Sequence, residues 1–198
     1  MGISVDDIKK LRDLTGVGLT DAKKALTEAE GDFDKALEEM RKKGLTRAEK
    51  KGDREARMGL VDSYVHDGRI GVVVEVNCET DFVARLDDFK TLVHEIAMQV
   101  AAMSPEYVSE ADIPEEEYAR VKQELLTSDT LKSKPAEMRE KIVEGQLKKH
   151  FADKVLLSQR YILDDDKTVE DHVKESIAKL GENIVVRQFK RIELGVSE

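Results

Sequence analysis

The sequence contains no tryptophan, one cysteine and only three prolines. With a single thiol, Cys78, an internal disulfide and a thiolate metal cluster are both excluded, and the chain suits a reducing compartment. Long apolar runs are missing too. The longest strand-like run, Ile70 to Val76, is broken by Glu75 and falls well short of the ~18 residues that read as a membrane-crossing helix. Met1 to Asp6 has no basic segment followed by an apolar block, and Asp6 stands where a myristoylation signal requires Ser or Thr. We therefore expect a cytoplasmic chain with no membrane partner. Phosphate-cradling G-x-x-x-x-G-K-[ST], dinucleotide-binding glycine fingerprints and H-E-x-x-H are absent as well, since His94-Glu95 lacks a second histidine. No cofactor and no metal site are expected.

Charge is plentiful. Charged residues make up 38% of the 198 positions, the hydrophobic set 40%, and the net charge is −9. That balance leaves enough apolar material for a core while loading helices with solvated charge on one face. An acidic average disfavours a bulk grip on nucleic acid, and no direct nucleic-acid partner is expected. The distribution is uneven, however. Residues 41–57 carry eight basic side chains against three acidic ones, without interleaved aromatics, which reads as a solvated basic linker.

Periodicity divides the chain. Ser4 precedes Val5, Ile8, Leu11 and Leu14 with Asp7 in capping-box position, predicting a helix that stops near Thr15. Thr20 or Asp21 caps a second helix carrying Ala22, Ala25, Leu26 and Ala29, and Gly31 supplies its left-handed exit. Asp32 opens a third, striped with Phe33, Ala36, Leu37 and Met40 and ended by Gly44. The period then changes to two, with a hairpin turn at Asp67-Gly68 and Ile70, Val72, Val74 and Val76 on one face. Leu86, Phe89, Val93, Ile96, Val100 and Met103 mark a helix that covers that sheet. Further helices are expected over Glu115–Leu126 and Pro135–Phe151, and a strand over Gln159–Leu163. A helix capped at Thr168 and stopped by Gly181, then a strand over Asn183–Leu194, close the series. The expected fold class is α+β: three helices in residues 1–44, a basic linker at 45–57, and a body at 58–198 built on a small antiparallel sheet packed with helices.

Chemistry has few places to sit. Cys78 lies near His66 and His94 in sequence, and a thiol-imidazole pair would be a nucleophile. No hydrolase signature surrounds the cysteine, though, and a lone cysteine at a strand end is ordinarily inert packing. The chain is read as no enzyme. Histidines 66, 94, 150 and 172 are scattered over different elements and are read as filling. The unusual segment is Asn77-Cys78-Glu79-Thr80-Asp81-Phe82-Val83-Ala84-Arg85, between the valine-rich strand and the long helix. Two readings of Phe82 stand: an aromatic anchor projecting from the tip, or a hydrophobic staple folded back on the sheet.

Thr80 to Arg85 resembles the T-D-F-V-A-[KR] signature of the elongation factor Ts family. Leu11 to Leu26, Glu30-Gly31-Asp32 and Arg41 to Gly44 are similar to that family's ubiquitin-associated-like three-helix domain. Ile70 to Asn77, Ile96 to Ala102, Val143 to Lys149 and Lys167 to Val169 extend the resemblance in order over nearly the whole chain. It implies an exchange factor for elongation factor Tu that meets both the GDP-bound and the nucleotide-free partner. Thr80, Asp81, Phe82 and Val83 would form the exchange tip, the ring wedging into the partner's nucleotide domain and disturbing its magnesium and phosphate site. Arg12, Leu19, Thr20 and Lys23 would make an auxiliary contact, with Leu19-Thr20 standing where many relatives carry bulkier residues. The length matches the short form of the family. Some short members pair, and a homodimer here would be noncovalent. A rival reading is a ubiquitin-associated-type peptide-binding module fused to an unrelated core.

Overall fold

The computed structural model describes residues 3–128 and 136–196. Three helices come first: α1 (Val5–Thr15), α2 (Leu19–Glu28) and α3 (Phe33–Glu49). The Oγ of Ser4 accepts the Asp7 amide at 3.0 Å, and Asp32 accepts the Lys35 amide at 3.0 Å, so two of the starts are capped as expected. The cap of α2 differs: Gly18 occupies it without a side-chain bond, placing Thr20 and Asp21 inside the first turn. Leu11, Ala22, Ala25, Leu26, Ala29, Ala36 and Met40 close a small core between the three helices.

The end of α3 is also different. The helix passes Gly44 and continues to Glu49, into the expected linker. Gly44 is a packing residue there, since a Cβ on it would stand 3.1 Å from the Ala178 methyl of a later helix. A glycine inside a helix costs roughly 0.5–1 kcal/mol relative to alanine, a loss that close helix approach offsets. Farther along α3, Ala48 joins the main core of the body.

Strands β1 (Met58–His66) and β2 (Ile70–Cys78) form the expected hairpin, with Asp67 and Gly68 both at positive φ as a two-residue turn demands. A single helical turn, α4 (Asp81–Ala84), leads to the long helix α5 (Asp87–Met103). Next come α6 (Glu115–Thr127) and α7 (Ala136–Ala152); the expected opening of α7 at Pro135 lies outside the described residues. Two short strands, β3 (Arg160–Tyr161) and β4 (Asp164–Thr168), precede α8 (Val169–Leu180) and β5 (Ile184–Glu193). The expected strand over Gln159–Leu163 is regular only at β3, because the Gln159 backbone amide donates to the Val155 and Leu156 carbonyls (3.1 and 3.2 Å) and the Ile162 amide to the Gln99 side chain (2.9 Å), so neither enters a strand ladder.

The main sheet is antiparallel in the order β1-β2-β5. Its inner face, Val72, Val74 and Val76, packs on Phe89, Val93, Ile96 and Val100 of α5 and joins Val173 and Ile177 of α8 in one core. Burying each such side chain contributes on the order of 1.5–3 kcal/mol, so this seam carries much of the body's stability. The outer face pairs Val65 with Gly71 and Gly71 with Ile192. Val61, Val65, Val73 and Ile192 remain exposed on it. Among the described residues, no helix is long and apolar enough to cross a membrane.

Candidate functional site

β2 ends at Cys78 and α4 begins at Asp81, so the chain passes from strand to helix within Glu79 and Thr80. Thr80 is the N-cap of α4, its Oγ1 accepting the Val83 amide at 3.4 Å. The Thr80 amide and hydroxyl in turn donate to the Glu182 carboxylate at 2.9 and 2.6 Å. Glu79 accepts the Asn183 amide at 2.7 Å and faces the Arg54 guanidinium at 3.5 Å. Beneath the turn, the Cys78 thiol donates to the Thr80 carbonyl at 3.1 Å. Burial, aided by the nearby Glu182 charge, pushes that thiol's pKa up, which disfavours the thiolate.

A one-turn helix braced at its base turns consecutive side chains about 100° apart, enough to put one on the core and its neighbour in solvent. Val83 is 7% exposed and belongs to the main core, while Phe82 is 78% exposed. The structure therefore decides against the staple: the phenyl ring stands in solvent. Burying such a ring in a partner would supply on the order of 2–3 kcal/mol. Asp81 is fixed beside it by Arg85, one turn later, at 2.8 Å. That exposed pair orients the carboxylate more than it stabilises the fold.

The auxiliary residues are only partly gathered. Arg12 lines an open cleft of ≈ 520 Å³ with Gly16, Val17, Leu86, Asp88 and Lys179, which brings α1 to the helix that follows the tip. Its guanidinium pairs with Asp13. Leu19, Thr20 and Lys23 are exposed on α2 and do not line that cleft. The histidines near Cys78 in sequence turn elsewhere: His94 Nδ1 lies 2.9 Å from Asp62, and His66 Nδ1 lies 3.1 Å from the Tyr64 hydroxyl. Among the described residues, no group of three or more His, Cys, Asp or Glu side chains could hold a metal ion.

A family model described as Elongation factor TS matches residues 6–195. The chain belongs to the elongation factor Ts family. A relative named Elongation factor Ts from Coprothermobacter proteolyticus is 55% identical over 196 residues, covering 98% of this chain and all of the relative. Proteins of the same name from Moorella thermoacetica (53% over 194 residues) and Thermotoga neapolitana (53% over 196) each match 98% of this chain and 96% and 98% of their own lengths.

For this member of the Ts family, the residues missed by sequence reasoning are those that brace the tip from a distance. Glu182 and Asn183 sit just after α8 and reach Thr80 and Glu79 across more than 100 positions. Their only local signal is Gly181, whose left-handed φ of 82° forces a sharp exit from the helix.

Proposed function

We propose that this chain promotes GDP release from elongation factor Tu by inserting Asp81 and Phe82 into the partner's nucleotide-binding domain. The observation that carries this reading is the Phe82 ring, 78% exposed on a turn whose neighbouring Val83 is buried. No bond is made or broken. A wedge speeds nucleotide loss only by binding the distorted, nucleotide-poor partner better than the GDP-bound one, and linkage requires GDP to weaken the complex by the same factor. Burial of the ring offsets the cost of that distortion, and Asp81, paired with Arg85, brings a carboxylate to the same cleft. Thr80 and Val83 shape the turn.

Residues 1–44 serve in this reading as a ubiquitin-associated-like module, residues 45–57, which begin as the last part of α3, as its basic connector, and residues 58–198 as the core. Arg12, Leu19, Thr20 and Lys23 make the second contact on the partner, in the cytoplasm. The alternative, a peptide-binding module on an unrelated core, is disfavoured because one family match runs through both parts. The exposed Val61, Val65, Val73 and Ile192 support a noncovalent homodimer, since a second copy would cover this outer sheet face.

The test is release of fluorescent GDP from purified elongation factor Tu. The wild-type chain is expected to accelerate it, and Phe82→Ala to lower the accelerated rate on the order of tenfold or more with unchanged far-ultraviolet circular dichroism. An unaltered rate in that variant removes the wedge.

A further inference from the structure

The turn Gly181-Glu182-Asn183 touches both the tip and the chain that leaves α3. On the tip side, the two Glu182 carboxylate oxygens are divided between the two donors of Thr80: Oε2 takes the amide at 2.9 Å and Oε1 the hydroxyl at 2.6 Å. The Asn183 amide donates to Glu79 at 2.7 Å. On the other side, Asn183 Nδ2 donates to the carbonyls of Gly52 (3.2 Å) and Arg54 (2.7 Å), and Lys51 Nζ donates to the Gly181 carbonyl at 2.5 Å.

We propose that Glu182 is a positioning residue for the exchange tip, an inference that rests on the exchange reading above. With its proton committed to Glu182, the Thr80 hydroxyl turns a lone pair toward the Val83 amide, which donates to it at 3.4 Å. That bond caps α4, a helix of four residues. One turn of helix is far too short to sustain itself, so its geometry is dictated by what holds its base. Bonds to an ionised carboxylate are roughly twice as strong as neutral ones, and this carboxylate supplies two to one residue. Phe82 projects from the turn so defined. Glu182 thereby fixes the aim of the ring before the partner is met and lowers the ordering cost of insertion.

Glu182→Ala, Glu182→Gln and Thr80→Val in the full chain test this in two measurements. Amide hydrogen exchange over residues 78–86 of the free protein reads the order of the tip. Glu182→Ala is expected to speed it about tenfold while β1 and the remainder of β2 keep their protection, with Glu182→Gln intermediate because the amide oxygen replaces one acceptor. Accelerated GDP release is expected to fall about tenfold in Glu182→Ala and less in Glu182→Gln. The Thr80→Val/Glu182→Ala double variant is expected to be no slower than the slower single one, since the two act through the same bonds. Unchanged tip protection in Glu182→Ala, an unchanged release rate, or a double variant whose loss is the product of the single losses overturns the proposal. Phe82→Ala keeps the readings apart: wild-type release in that variant defeats the wedge, while tip protection still decides whether Glu182 orders the turn. Should Glu182→Ala fail to fold, the nearly isosteric Glu182→Gln and Thr80→Val carry both measurements.

Discussion

Phe82 and Val83 are neighbours in the chain and opposites in burial, one 78% and the other 7% exposed. Their substitutions should therefore separate stability from activity. Phe82→Ala is expected to change unfolding free energy by less than about 0.5 kcal/mol, as surface changes do. Val83→Ala removes two methyl groups from the core and is expected to cost on the order of 1–2 kcal/mol. Urea unfolding of the two variants checks the contrast.

Two glycines differ in the same instructive way. Gly16 has φ 66° and its missing side chain lets the chain touch the Lys179 backbone, so Gly16→Ala is expected to destabilise by about 1–3 kcal/mol. Gly145 lies inside α7 with open space around it, and Gly145→Ala is expected to stabilise by roughly 0.5–1 kcal/mol. Thermal unfolding should move the midpoint down for the first and up for the second.

Acid sensitivity should depend on Glu95. Its carboxylate meets His172 Nε2 at 2.9 Å, and Tyr161 stacks on that imidazole with ring centroids 4.2 Å apart. The His172 hydrogen bond holds the Glu95 pKa below the ordinary 4.5, with burial opposing it. Folding thus favours the ionised form. The stabilisation is complete above pH 4.5 and is lost as pH falls through the depressed folded value. Glu95→Gln is expected to show a shallower fall of the urea midpoint below that pH, and parallel curves for the two proteins would show that the pair does not contribute.

The outer sheet face makes a prediction about assembly. Ile192 is 73% exposed and stands across Gly71 from Val65, which is 66% exposed. If a second copy covers these residues, Ile192→Lys places a charge in the interface and should convert the dimer to a monomer in sedimentation equilibrium, with the far-ultraviolet spectrum retained. A wild-type protein that sediments as a monomer at all concentrations would refute the pairing.

Legibility in the sequence followed the range of the interactions. Ser4, Asp32, Thr168 and Gly181 act within four residues of themselves, and each marks its helix end as the pattern says. Asp67-Gly68 and the alternating valines of β2 are equally local. Gly44 misled because a glycine near an expected helix end reads as a cap, whereas its real constraint is Ala178, far away along the chain. Phe82 left two directions open, since a staple and an anchor share one local pattern; the side of the turn that Val83 takes decides between them. Glu182 was invisible for a simpler reason: an acidic residue after a helix-ending glycine carries no mark of a threonine 102 positions earlier.

The overrun of α3 has a mechanical meaning. Met40 belongs to the small amino-terminal cluster and Ala48 to the sheet's cluster, so a single rod is anchored at both ends. A trio of helices with so little apolar filling would struggle to persist by itself. Sharing the rod makes its melting a burden on the larger neighbour, and the two should come apart together in one cooperative step, with no early shedding of the weaker part.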